Sequence, residues 1–88
     1  MKAIWKKLVQ LNDYQTIELP INAKILCAKV QYGGPCIWFI NPDVHSSSKE
    51  TKKIRIYATG YECKDIKGKY IDTLMFKEGD LVFHVFEE

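Results

Sequence analysis

KILCAKVQYGGPCIWFI, Lys24 to Ile40, is the stretch whose reading decides the fold. Two runs of β-branched, aromatic and other apolar residues flank Gly33-Gly34, and Pro35 follows. Glycine tolerates positive φ at no steric cost, and a two-residue hairpin turn of the primed type requires it. Lys24–Tyr32 and Cys36–Ile40 are therefore expected to form a tight antiparallel hairpin. In the first arm Leu26, Ala28, Val30 and Tyr32 share one face, opposite Cys27, Lys29 and Gln31. The second arm is apolar on both faces, Cys36, Trp38 and Ile40 against Ile37 and Phe39. Such a strand is covered on both sides, in a sheet centre or at an interface.

Outward from the hairpin the period-2 pattern recurs. Ala3–Val9 reads as a strand, and its lysines mark an edge. Asn12-Asp13 signals a turn, and Gln15–Leu19 is a short strand ended by Pro20, which lacks a ladder donor. Asn41-Pro42-Asp43 stops the second arm. Residues 43–52, with Val44–Thr51 reading VHSSSKET, form a polar loop. Lys52–Thr59, Tyr70–Phe76 and Leu81–Phe86 complete the strands, and Cys63–Lys67 has room for at most one helical turn. Lys77–Asp80 closes the last pair with Gly79 where positive φ is needed. Six to seven strands and no long helical period predict an all-β fold, a small antiparallel sandwich or barrel, in one domain over residues 1–88.

Bulk properties narrow the function classes. Thirteen basic and 11 acidic residues are well mixed, with a net charge of +2. A nucleic-acid partner, which favours a strongly basic face, is not expected. No apolar run reaches the roughly 18 residues of a membrane helix, and no secretion signal precedes Trp5-Lys6-Lys7, so the expectation is a cytoplasmic protein away from membranes. Three cysteines, Cys27, Cys36 and Cys63, are an odd, widely spaced set. They form neither a CxxC pair nor a disulfide framework, and a buried reduced thiol behaves as a small hydrophobe. Two scattered histidines add no metal spacing, so neither metal nor cofactor is expected.

Enzyme templates are missing: no Gly-x-Ser-x-Gly, no P-loop, no dinucleotide glycine fingerprint. Ser46–Ser48 beside His45 lack the fixed geometry of a triad. The best chemical lead is Arg55, Tyr57 and Thr59, which alternate with Ile54, Ile56 and Ala58 and so share one face. Arg offers a planar fork for phosphate, Tyr a stacking ring, Thr a hydroxyl. An ordinary solvated face with an Arg–carboxylate pair is the competing reading. His84, between Phe83 and Val85, fits a hydrogen-bonded interior residue as well as a site residue. Trp5 and Trp38 read first as core or interface anchors.

The order Ile4-Trp5-Lys6, Thr16-Ile17-Glu18-Leu19-Pro20, Ala23-Lys24-Ile25-Leu26, Gly34-Pro35-Cys36-Ile37-Trp38 and Asn41-Pro42 resembles a family of small bacteriophage proteins catalogued as a domain of unknown function. Ile54-Arg55-Ile56-Tyr57, Thr59-Gly60, Gly68-Lys69-Tyr70-Ile71 and Leu81-Val82-Phe83-His84-Val85-Phe86 continue it. Two motifs depart from that pattern: Ala58-Thr59-Gly60-Tyr61 stands where Gly-Thr-Gly-His is expected, and Asp72 where a glycine follows Tyr-Ile. The resemblance implies a phage protein in the host bacterial cytoplasm. Together with the Arg55 row and the missing catalytic templates, it motivates a non-enzymatic sponge for a small anionic nucleotide-like immune signal. Its candidate ligand-binding residues are Arg55, Tyr57, Thr59, Tyr61, Trp38 and His84, and a homo-oligomer would enclose a ligand most easily. Two alternatives stand beside it: a protein-interaction module that adds a strand along Ala3–Val9, and a small phosphodiesterase-like hydrolase using His84 with Asp72 or Tyr61.

Overall fold

Alternation sends one row of each strand inward and the other out, and two small sheets close over the inward rows. The computed structural model describes residues 1–88. Its strands are β1 (Ala3–Leu8), β2 (Tyr14–Pro20), β3 (Lys24–Gln31), β4 (Gly34–Asn41), β5 (Lys49–Ala58), β6 (Lys69–Phe76) and β7 (Leu81–Glu87). One sheet runs β1-β4-β3 and the other β2-β5-β7-β6, with every pairing antiparallel. The expected all-β, seven-strand architecture is thus present, with β4 central in its sheet and β1 at an edge. No helix is long and apolar enough to cross a membrane.

The shared core takes Ile17 and Leu19 from β2, Ile25 and Ala28 from β3, and Ile37 and Phe39 from β4. Ile54 and Ile56 of β5, Leu74 of β6 and Val85 of β7 complete it from the other side. Burying an aliphatic side chain of this size contributes about 1.5–3 kcal/mol. β1 adds no fully buried side chain, so it is held mainly by its ladder to β4.

Three local expectations need correction. The hairpin turn is Tyr32-Gly33, not Gly33-Gly34: Gln31 pairs with Gly34, and φ is +53° at Tyr32 and +79° at Gly33. The ladder keeps Ile37 and Phe39 inward, which draws Gly34 into the strand and leaves Tyr32 to take a conformation costly for a non-glycine residue. Leu26 does not share a face with Ala28. The register slips between Ile25 and Cys27, a bulge that buries Ile25 (8% exposed) and turns Leu26 out (41%). Cys27 is accordingly half-buried, whereas Cys36 is fully enclosed. The polar loop is shorter than residues 43–52, because β5 starts at Lys49, paired with Pro20. Cys63–Lys67, with room for at most one helical turn, forms none.

The sheets are joined at one corner, where edge strands β3 and β6 meet. The slip in β3 has a counterpart in β6 between Tyr70 and Asp72. Asp72 Oδ2 accepts the Ala28 backbone N–H across the corner at 3.2 Å and pairs with Lys29 Nζ at 3.1 Å.

Candidate functional site

Arg55 sits on the outer row of β5, opposite Tyr14 of β2 and Phe86 of β7. Its guanidinium carbon lies 4.5 Å from the centre of the Tyr14 ring, a cation–π contact. Its Nε–H donates to Glu88 Oε2 at 2.9 Å. That hydrogen bond is the chief cause of two opposite shifts: it holds the Glu88 carboxyl below its ordinary range and strengthens the guanidinium's hold on its proton. The Arg–carboxylate pair of the competing reading is therefore present, on the surface where such pairs exchange easily.

Tyr57, two residues on, points the same way. Its hydroxyl accepts the Lys67 backbone N–H at 3.0 Å, and its ring meets Phe86 edge-on with centroids 5.4 Å apart. This bond ties the connection between β5 and β6 back onto the sheet. That connection starts with a turn in which Gly60 takes φ +85° and the Tyr61 N–H donates to the Ala58 carbonyl at 3.3 Å.

Between this connection and the β1–β2 loop lies a hollow of about 320 Å³. Arg55, Tyr57 and Tyr61 line it, with Leu11, Asn12 and Asp13 on one wall, Glu62 and Cys63 on another, and Ile56, Ala58 and Phe83 at its base. The wall is built: Gln15 Nε2 donates to the Gln10 carbonyl at 2.6 Å and to Asn12 Oδ1 at 2.9 Å, and the Asp13 carbonyl accepts the Ile56 N–H at 3.0 Å. One cation, aromatics and carboxylates thus share one concavity at the small end of ligand-pocket size.

Thr59 and His84 stand beside the hollow rather than in it. His84 is the cross-strand neighbour of Tyr57, and its two ring nitrogens meet Thr59 Oγ1 at 2.7 Å and Thr73 Oγ1 at 3.1 Å. Thr73 continues to the Tyr70 hydroxyl at 2.7 Å. Both imidazole nitrogens are therefore engaged by hydroxyls, and Asp72 makes its bonds to β3. Trp38 does not join the group. It pairs across to Lys6 and Cys27 on the outer face of the other sheet, on the far side of the core. No three His, Cys, Asp or Glu side chains gather as a metal site.

The Arg55 row was legible from alternation, but Asp13, Glu62 and Cys63 were not. Asn12-Asp13 carried only a turn signal, and charged residues in a connection look solvated until the fold brings two loops face to face.

A family described as a domain of unknown function (DUF7352) matches residues 1–88, and the chain belongs to that family. No curated protein and no solved structure matches the chain.

Proposed function

We propose that this member of the DUF7352 family is a bacteriophage protein that binds and sequesters a small, anionic, nucleotide-like signalling molecule of its host. The observation that carries the reading is the convergence of Arg55, Tyr57 and Tyr61 on one hollow whose walls also hold Asp13 and Glu62. A bare phosphate would be repelled by those carboxylates. A nucleoside phosphate has two chemistries to offer: its phosphate replaces Glu88 on the Arg55 fork, and its ribose hydroxyls or base N–H groups donate to Asp13 or Glu62. Tyr61, 82% exposed at the rim, gains a base or a second copy of the chain to stack on. His84 with both nitrogens engaged, and Asp72 turned to the other sheet, favour holding a ligand over cleaving it.

The test combines two readouts on the same protein. A panel of nucleoside phosphates, cyclic nucleotides and ADP-ribose-like molecules is screened by thermal shift, with alkylation of Cys63 followed by mass. Ligand at about 100 times Kd adds about 2.7 kcal/mol, which moves Tm by roughly 10–20 °C for a domain of this size. The bound compound should slow Cys63 labelling, lose both effects in Arg55→Ala, and come back intact after heating. A panel with neither shift nor protection would sink the proposal.

A further inference from the structure

The three-stranded sheet contains no acidic residue. Its strands supply Lys6, Lys7, Lys24 and Lys29, while all 11 Asp and Glu lie elsewhere. The modest net charge of +2 therefore conceals a segregation of sign. The same sheet exposes apolar side chains, Ile4 at 64% and Leu8 at 61% on β1 and Leu26 at 41% on β3. β1, which carries Ile4 and Leu8, pairs with β4 alone, so its other edge is open.

The register says which peptide groups face that edge. The Val9 N–H donates to the Pro35 carbonyl, continuing the β1–β4 ladder by one pair. Antiparallel pairs alternate between bonded and non-bonded, so Lys7, Trp5 and Ala3 turn their backbone groups toward β4. Ile4, Lys6 and Leu8 turn theirs to the open side. These three also place their side chains on the outer face, opposite Ile40, Trp38 and Cys36.

We infer that β1 is a docking edge for an extended acidic and apolar segment of a partner protein, added as a further antiparallel strand. Side chains directly opposite one another in a ladder set the preferred sequence. From the position facing Leu8 to the one facing Ile4, the segment reads apolar, acidic, acidic, apolar, apolar. The two acidic positions meet Lys7 and Lys6, and the apolar ones meet Leu8, Trp5 and Ile4. Lys6 is held at present only by neutral groups, Gln31 Oε1 at 2.6 Å and the Tyr32 ring at 5.6 Å, so it is free to take a carboxylate. A second copy is a poorer occupant, because pairing β1 with itself crowds Lys6 and Lys7 of both copies into one ladder. An anionic lipid surface would satisfy the lysines and leave the Ile4, Lys6 and Leu8 backbone groups without partners. The edge lysines thus both block self-pairing and select the partner.

The experiment titrates the full chain with a synthetic peptide of core Val-Glu-Glu-Ile-Val and follows amide exchange by NMR. Saturable protection of the Ile4, Lys6 and Leu8 amides is expected, absent with a Val-Lys-Lys-Ile-Val peptide. The double variant Lys6→Glu/Lys7→Glu should bind roughly tenfold more weakly, since two opposed pairs change from attraction to repulsion. Its unchanged Tm would show that it folds. No protection by the acidic peptide, or equal binding of the lysine peptide, overturns the inference. So does protection seen only with phosphatidylglycerol vesicles, or only on raising the protein concentration.

Discussion

The carboxylate of Asp72 on β6 accepts the backbone N–H of Ala28 on β3 at 3.2 Å, so a side chain takes the place of the next strand where the two sheets meet. Ala28 is 1% exposed, and its N–H has no route to water. The register slips in both strands present the groups to each other: one turns Leu26 out and lets Ala28 return inward, the other brings Asp72 onto the inner row opposite Val85. Burial alone would raise the Asp72 carboxyl. The bonds from the Thr73 N–H, Lys29 and the Ala28 N–H outweigh it and hold the carboxyl below its ordinary 3.8.

Asp72→Ala should therefore cost about 1–3 kcal/mol, the range for leaving a buried donor unpaired. Asp72→Asn keeps an oxygen for Ala28 and should cost less. The sign of the pH dependence follows from the depressed folded value: the contribution is complete above the unfolded pKa and is lost as pH falls through the folded one. In thermal melts between neutral pH and about pH 3, the gap between wild type and Asp72→Asn should narrow toward the acid end. A constant gap across that range would show that the charge at Asp72 does not stabilise the corner.

Gly68 and Gly60 flank the connection that walls the hollow, and both hold positive φ, +97° and +85°. Their surroundings differ. A Cβ on Gly68 would lie 2.5 Å from the Glu87 carbonyl oxygen, whereas Gly60 has nothing within 4 Å. Gly60→Ala should cost about 1–2 kcal/mol from backbone conformation alone. Gly68→Ala adds a clash with backbone and should cost on the order of 3 kcal/mol. Chemical denaturation of the two variants measures the difference, and equal losses would mean the chain re-enters β6 by another path.

Tyr32 takes φ +53° at the first central position of a two-residue turn, with its ring 91% exposed. Asparagine tolerates that region far better and, before glycine, is the favoured residue of such turns. Tyr32→Asn should raise stability by a few tenths to about 1 kcal/mol, or several degrees in Tm. A fall in Tm would show that the contact of Lys6 with the Tyr32 ring outweighs the strain.

These three sites mark the boundary of what the residues disclose before folding. The inward row of β5 follows from alternation, because a one-residue slip would bury Lys53 and Arg55 in place of Ile54 and Ile56. A bulge breaks that rule by adding a residue, and the apolar run Ile25-Leu26-Cys27 satisfies either face equally well. The Arg55, Tyr57 and Thr59 row was visible for the same reason that the strand was. The partner of Arg55 was not, since Glu88 lies 33 residues away and only the β5–β7 pairing brings it near.

That partner supplies the last prediction. If a ligand phosphate must displace Glu88 from Arg55, removing the carboxylate removes a competitor without touching the hollow. Glu88→Gln should bind a nucleoside phosphate more tightly than wild type, and Arg55→Lys more weakly, because an ammonium offers no planar fork. Wild-type affinity should fall with added salt, as expected for an exposed charge contact. The pair is exposed, so neither variant should shift Tm appreciably in the absence of ligand. Titration calorimetry of the three proteins with one compound decides the matter. Affinity that falls in Glu88→Gln would mean that Glu88 orients Arg55 for the ligand rather than competing with it.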